Sequence, residues 1–452
     1  MNLNEISDPD FRLLGEQIVS AMAYYHVPGV AVGVMRDGEE FTAGFGVTNV
    51  DHPLPVDADT LFQIGSTTKT FTATLAMRLV EMGKLDLDAP IRQYLPNFRL
   101  RDEDVAARVT MRHLLTHTGG WLGDYFDDLG DGDDALAKYV AAMVELPQLT
   151  PLGTIWSYNN AGFGVAGRVI EVITGKTYEA ALKEYVLDPL DLKMSFIFPK
   201  DVMTYRFAVG HNVIDDQPQV ARPWPIARTG NCVGGIASTV KDQLRYARYL
   251  MGDGSPLLSR EALAQMQTPQ TDAALGEKMG ISFFIRDART TPILRHGGAT
   301  NGQMSAFIFV PSHKFAITIL TNSNRGVELH NKLTRWALEH FLGISDTKRT
   351  PIAMTDAQLA EYAGRYTSAL ADIDLKIENG NLVMNTTPKG GFPKKDSPPG
   401  PTPPPSHFVF IGSDRILALD GWSKDLQGEF LRDADGKIAW FRFGSRIRAK
   451  EK

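Results

Sequence analysis

Hydrophobic and polar positions change rhythm three times along the chain. Residues 11–25 recur at helical spacing, and the following GVAVGVMRDGEEFTAGFGVTNV holds two apolar runs that predict a β-hairpin turning at Asp37-Gly38. In FQIGSTTKTFTATLAMRLVEMGKL, residues Phe71, Leu75, Leu79 and Met82 fall three or four apart and Gly83 supplies a stop. Thr72, Ala73 and Ala76 keep much of the rest of that helix small, so it can sit deep in the protein. Helical stretches continue through TMRHLLTHTGG, DALAKYVAAMVEL and AGFGVAGRVIEVITGK, the last ending at Gly175. Strand character returns in MGISFFIRD, PILRHGG and MSAFIFVPSHKFAITILTNSN, with Ser312-His313-Lys314 as a hairpin loop.

This β, then α, then β order predicts that N- and C-terminal strands share one antiparallel sheet flanked by helices, an α/β body with an all-helical subdomain over residues 1–343. Residues 344–355 form a polar linker. Beyond the short helix DAQLAEYAG only seven short strands remain, from GRYTSA to KIAWFRFG, which predicts a small all-β barrel or sandwich over residues 356–452. Within it, residues 388–406 are so rich in Pro and Gly that they read as an exposed, mobile loop.

Composition narrows the function classes. Hydrophobic residues are 43% and charged residues 22%, close to the average of soluble globular proteins. The net charge of -6 leaves no large positive field for a nucleic-acid backbone, so nucleic acid is not an expected partner. Cys232, the single cysteine, excludes an intramolecular disulfide framework and reads as a small buried residue. The N-terminal residues carry acids where a secretory signal needs bases, and no run approaches the length of a membrane span, so the expected compartment is the cytoplasm with no membrane partner.

Ser-x-x-Lys occurs three times, at Ser66/Lys69, Ser238/Lys241 and Ser345/Lys348, when about one or two are expected by chance. Only Lys69 is enclosed by a run with few charges. A serine hydroxyl needs a neighbouring base, and a lysine serves only when burial keeps it partly neutral, far below its ordinary pKa of about 10.4. Taken alone, the pair reads more simply as a helix cap followed by a surface lysine. Two further elements change that balance: Tyr158-Asn159-Asn160, and His296-Gly297-Gly298 between two strand-like runs. His117-Thr118-Gly119 repeats the last pattern, but it precedes the tyrosine element.

In this order and with these gaps, Ser-x-x-Lys, Tyr-x-Asn and His-x-Gly resemble the serine β-lactamase and penicillin-binding superfamily. The likeness is greatest to class C β-lactamases, related esterases and D-aminopeptidase-like peptidases. LFQIGSTTKTFTA, GKLDLDAPIRQYLP, YNNAGFGVAGRVIEVITG and RHGGATNG extend the resemblance over about residues 15–343. The trailing strands resemble a small lipocalin-like barrel. The resemblance implies that Ser66 becomes acylated while Lys69 and Tyr158 share its proton, with Tyr158 ionising readily between positive side chains and acting as base for the deacylating water. It further implies an oxyanion hole at the backbone N–H groups of Ser66 and Ala299, a catalytic place for His296, substrate contacts at Asn160, Gly297 and Gly298, and an Asn160 hydrogen bond to Lys69 or a substrate amide.

Where penicillin-recognising relatives carry Lys-Thr-Gly, this chain carries His-Gly-Gly, losing a permanent charge and a hydroxyl able to hold a substrate carboxylate. That departure favours esters or short peptides, D-amino-acid-containing ones included, over β-lactams. The acidic run of residues 123–134 lacks the spacing of a calcium loop and reads as a solvated loop near the entrance; Trp121, Tyr125, Phe126, Trp156 and Trp224 are candidates to line a pocket. The expectation is a serine hydrolase acting by an acyl-enzyme on a small-molecule ester, peptide or β-lactam, without metal or cofactor. A β-lactamase or penicillin-binding module with slow turnover and a non-catalytic assembly protein are the alternatives, and homo-oligomerisation is left open.

Overall fold

Asp37 and Gly38 both take positive φ, 55° and 87°, as a tight right-twisting hairpin requires, and they join β1 (Gly29–Arg36) to β2 (Glu39–Gly46). The computed structural model describes residues 3–288, 290–346, 349–392 and 395–451. The same sheet takes up β3 (Thr271–Asp272), β4 (Lys278–Met279), β5 (Phe284–Ala288), β6 (Thr291–Ala299), β7 (Met304–Val310) and β8 (Phe315–Thr321) in the order β2-β1-β8-β7-β6-β5-β4-β3. β1 pairs antiparallel with β8, Val30 opposite Thr321, so the two ends of the body meet in one sheet.

Both faces of β1 are apolar because both are covered. Val30, Val32 and Val34 pack with Leu14 and Ile18 of α1 (Pro9–Tyr25), while Ala31 and Met35 join the larger core on the opposite face. That core holds α2 (Thr68–Glu81), α3 (Asn160–Thr174) and α4 (Val240–Leu250); α5 (Gly326–Leu342) lies on the α1 side. No helix among the described residues is long and apolar enough to cross a membrane.

The remaining strands close into an eight-stranded barrel: β9 (Gly364–Thr367), β10 (Ala371–Glu378), β11 (Asn381–Pro388), β12 (Ser406–Gly412), β13 (Arg415–Ala418), β14 (Gln427–Arg432), β15 (Ile438–Phe443) and β16 (Arg446–Lys450). Sequence pattern predicts only seven of these. The eighth, RIRAK, alternates correctly, but Ile447 is its one buried apolar side chain, so charge hides the strand. β16 pairs with β9, Tyr366 opposite Lys450, and removes the sheet edge. Tyr366, Phe408, Phe430 and Phe441 fill the interior, as side chains do in small barrels. Lys348 of the third Ser-x-x-Lys, and Pro393 and Lys394 of the Pro-rich loop, lie outside the described residues.

Candidate active site

Residues 65–67 make one 3-10 turn that runs directly into α2, which places Ser66 and Lys69 one turn apart on a single face. Ser66 makes no capping bond there, so the cap alternative is not what the structure shows. Lys69 is 0% exposed. Its Nζ lies 3.0 Å from Ser66 Oγ and donates to the Val233 carbonyl at 2.9 Å, and both partners are neutral oxygens. Burial, reinforced by the nearby Arg446 charge, holds this amine well below the usual lysine range. In the neutral form the 3.0 Å contact lets the serine O–H donate to the lysine lone pair.

A helix so rich in threonine can be buried because its hydroxyls are all used. Thr70 Oγ1 donates to Thr67 O at 2.8 Å, Thr72 Oγ1 to Cys232 O at 2.7 Å, and Thr74 Oγ1 lies 2.8 Å from Tyr246 Oη. Cys232 is buried beside Gly167, and burial pushes its thiol up, as the reading of an inert small residue expects.

Asn159, rather than Asn160, caps α3: its Oδ1 accepts from Gly162 N at 2.7 Å. Asn160 Nδ2 donates instead to Asp124 Oδ1 at 2.8 Å, in place of the expected contact with Lys69. The Tyr158 ring lies 5.0 Å from Lys69 Nζ. Its buried hydroxyl has no hydrogen-bond partner of normal geometry, and burial raises its pKa although Ser66 and Arg446 oppose the shift. Burial thus opposes the expected ready ionisation of this tyrosine, which Arg446 favours.

His296 is 2% exposed, with Nδ1 2.7 Å from the Gly297 carbonyl, Nε2 unpartnered and the ring 6.2 Å from that of Tyr158. Burial pushes its pKa down to about 3, so it is neutral. His117, set aside on motif order, lies in the floor of the site. Its ring packs 4.3 Å from Tyr158 and its Nδ1 accepts from Asn159 N at 3.0 Å. Its φ of 60° breaks the end of a short helix and turns the ring inward, which no spacing rule signals.

Backbone closeness explains two of the glycines. A Cβ on Gly65, whose φ is 50°, would stand 2.5 Å from Ala299 N; one on Gly298 would stand 2.7 Å from Ser66 N and overlap the Ile64 carbonyl. The turn at Ser66 and the end of β6 are thus pressed together, which brings the amides of Ser66 and Ala299 to one place. Gly297 is looser, its nearest neighbour being Ser305 O at 3.2 Å.

The barrel completes the site. Its β15–β16 turn lies against Tyr158: Ser445 O accepts from Tyr158 N at 2.9 Å, and the Arg446 guanidinium stands 4.8 Å from the Tyr158 ring centre. Arg446 Nε donates to Asp124 Oδ2 at 3.0 Å; side-chain exposure is 35% for the arginine and 10% for the aspartate. Below this turn, Arg442 and Glu429 form a buried ion pair, Glu429 accepts from Leu275 N at 2.8 Å, and Arg442 lies 5.7 Å from the Trp156 ring. Sequence reading missed Arg446, since it lies 322 residues from Asp124 in the strand concealed by its charges.

The acidic run is anchored at its start, with Asp124 in the Arg446 pair and Asp127 accepting from Tyr125 Oη at 2.7 Å, while residues 130–134 are solvent-exposed as expected, Asp133 included although it accepts from Arg228 at 2.7 Å. No group of three His, Cys, Asp or Glu among the described residues could hold a metal ion. Tyr125 and Phe126 line the cavity that holds Ser66, Tyr158, Asn160 and His296, whereas Trp121 is 2% exposed and packs over Gly119. Trp156 lies beneath Tyr158, and Trp224 packs on Phe207 away from Ser66. Ser238 bonds Ser195 and Gln243 while Lys241 pairs with Asp59 at the surface, so that second Ser-x-x-Lys is structural.

Comparison with known proteins gives a consistent picture. The Beta-lactamase family profile matches residues 16–341. "Penicillin-binding protein 4" from Amycolatopsis lactamdurans is 32% identical over 356 residues, 76% of this chain and 93% of that protein. Among solved structures, a class C beta lactamase from Rhodobacter sphaeroides is 25% identical with a TM-score of 0.61, covering 72% of this chain and 99% of that one. SurE, determined with D-Leu, is 22% identical with a TM-score of 0.75, covering 97% of this chain and 99% of its own, so the likeness in fold includes the barrel.

Proposed function

This chain belongs to the beta-lactamase family, and from that premise we propose that it is a serine hydrolase working through an acyl-enzyme on Ser66, with carboxylic esters and short peptides as its substrates. The observation that carries the proposal is the fully buried Lys69 amine, 3.0 Å from the Ser66 hydroxyl, where burial disfavours its charged form. Ser66 Oγ forms a bond to the substrate carbonyl carbon while its proton passes to Lys69 Nζ. The oxyanion so formed is received by the amides of Ser66 and Ala299, each donor contributing about 3 kcal/mol. The proton then returns through the neutral Tyr158 hydroxyl to the leaving alcohol or amine as the carbonyl bond to it breaks. Water repeats the sequence on the acyl-enzyme and frees Ser66. The raised pKa of Tyr158 makes it a proton relay, and Lys69 takes the part of base for both halves.

Substrate class follows from charge and size. Position 296 carries no charge at neutral pH, and the permanent cation near Tyr158, Arg446, is already engaged by Asp124. The cavity, of about 1710 Å³, is an open cleft that extends from Ser66 to α5 and the linker, with room for a short peptide as well as a small ester. On this reading residues 1–343 carry the reaction, and residues 356–452, joined through the linker 344–355, shape access to it. A second reading, a β-lactamase or penicillin-binding module, is favoured by the likeness to a penicillin-binding protein.

Intact mass after treatment with a fluorophosphonate tests the nucleophile: one adduct on the wild type and none on Ser66→Ala is expected, and equal labelling of both refutes it. Parallel turnover of a p-nitrophenyl ester, a D-aminoacyl anilide and nitrocefin separates the substrate readings. Lys69→Arg, which stays charged, is expected to be inactive; full activity would remove the neutral-lysine argument.

A further inference from the structure

The Pro-rich segment of the barrel reaches the mouth of the site. Phe392 packs edge-on against Phe126, ring centres 5.2 Å apart, although 266 residues separate them. A single exposed aromatic needs no explanation. This pair, however, is held by bonds on both sides. Lys395 N donates to the Phe126 carbonyl at 3.2 Å, and Lys395 Nζ pairs with Asp127 at 3.2 Å. On the other flank Thr229 Oγ1 donates to Asp127 O at 2.8 Å, and Arg228 bonds the Asp131 carbonyl and Asp133.

The chain thus fixes where the two rings stand, yet leaves Phe392 40% exposed. Tyr125 is turned away onto Tyr139, 5.0 Å between ring centres, so Phe126 is the ring of that pair left to meet Phe392. Phe126, Phe392, Ile226 and Leu370 line the same cavity as Ser66 and Tyr158. An apolar wall in the cavity of a reacting serine is dewetted most favourably by an apolar part of the molecule attached to that serine.

Resting on the acyl-enzyme reading above, we infer that Phe126 and Phe392 form an apolar subsite, shared between the two domains, that selects substrates carrying an aliphatic or aromatic group. The barrel thereby sets specificity through a side chain that takes no part in proton transfer.

The test pairs turnover with binding. kcat/KM for p-nitrophenyl acetate, butanoate and hexanoate is expected to rise about fourfold per methylene in the wild type, the value of burying one such group. Phe392→Ala and Phe126→Ala are each expected to flatten that rise, and Phe392→Leu to keep most of it. Calorimetric binding of acetyl and hexanoyl p-nitroanilides to Ser66→Ala protein, with and without Phe392→Ala, reads the subsite without chemistry. The same chain-length dependence with and without Phe392→Ala, in both assays, overturns the subsite. Discrimination in binding that depends on Phe392, without any Ser66-dependent turnover, upholds the subsite and overturns the acyl-enzyme reading instead.

Discussion

Charge at the barrel turn should set the pH at which the enzyme switches on. Lys69 Nζ and the Arg446 guanidinium lie 5.0 and 4.8 Å from one ring centre, that of Tyr158, so they are at most about 10 Å apart. At an effective dielectric of about 20 their repulsion is then at least about 1.7 kcal/mol, a little over one pKa unit. A third of the Arg446 side chain is exposed, and solvent screening lowers this to roughly half a unit to one unit. Lys69 works neutral, so kcat/KM rises with pH through its depressed pKa and is flat above. Arg446→Met removes a neighbouring cation, raises that pKa and moves the acid limb to higher pH. Asp124→Asn removes an anion that favours the ammonium and moves the limb to lower pH. The double variant should fall between them. Stopped-flow acylation over a pH series measures the limb, and thermal unfolding of each variant registers the cost of leaving Asp124 or Arg446 unpaired. Limbs that move in the same direction, or not at all, would refute the assignment of Lys69 as the titrating base.

Lys69→Met should abolish labelling by fluorophosphonate yet raise stability by about 1 kcal/mol, seen as a higher Tm, because a desolvated amine is replaced by an apolar chain of similar volume. Gly298→Ala should destabilise the fold and cut acylation at least a hundredfold, since its methyl overlaps the Ile64 carbonyl, while Gly297→Ala, with room to 3.2 Å, should lose less than tenfold. Arg442→Met leaves Glu429 buried without its partner and should cost about 3 kcal/mol in urea unfolding; Leu275 and Trp156 should become more accessible, seen as a change in tryptophan fluorescence.

What could be read from the sequence was mostly local. The face shared by Ser66 and Lys69 and the Asp37-Gly38 hairpin follow from spacing and turn chemistry, and the sheet joining both ends of the body, a long-range feature, from the β, then α, then β order of elements. Tyr158 stands out by its motif, but the burial that opposes its ionisation does not, because a motif says which charges are near and not how much water is excluded. Asn160 was expected to bond Lys69 or a substrate amide and instead donates to Asp124, a partner 36 residues away that no local spacing indicates, while Asn159 caps α3. Arg446 and Phe392 were invisible, and His117 was seen but set aside, for three different reasons. The first sits in a strand masked by its own charges, the second in a segment whose composition suggests only a loop, and the third in a motif copy on the wrong side of Tyr158.

The position of Arg446 in the chain also bears on synthesis. A ribosome finishes Ser66 and Lys69 long before the β15–β16 turn, which follows Asp124 by 322 residues. Until that turn has emerged and docked, Asp124 stands without its arginine and the Tyr158 amide without the Ser445 carbonyl. The nascent protein therefore holds a serine–lysine pair whose electrostatic setting is unfinished until a turn made 322 residues after Asp124 has docked.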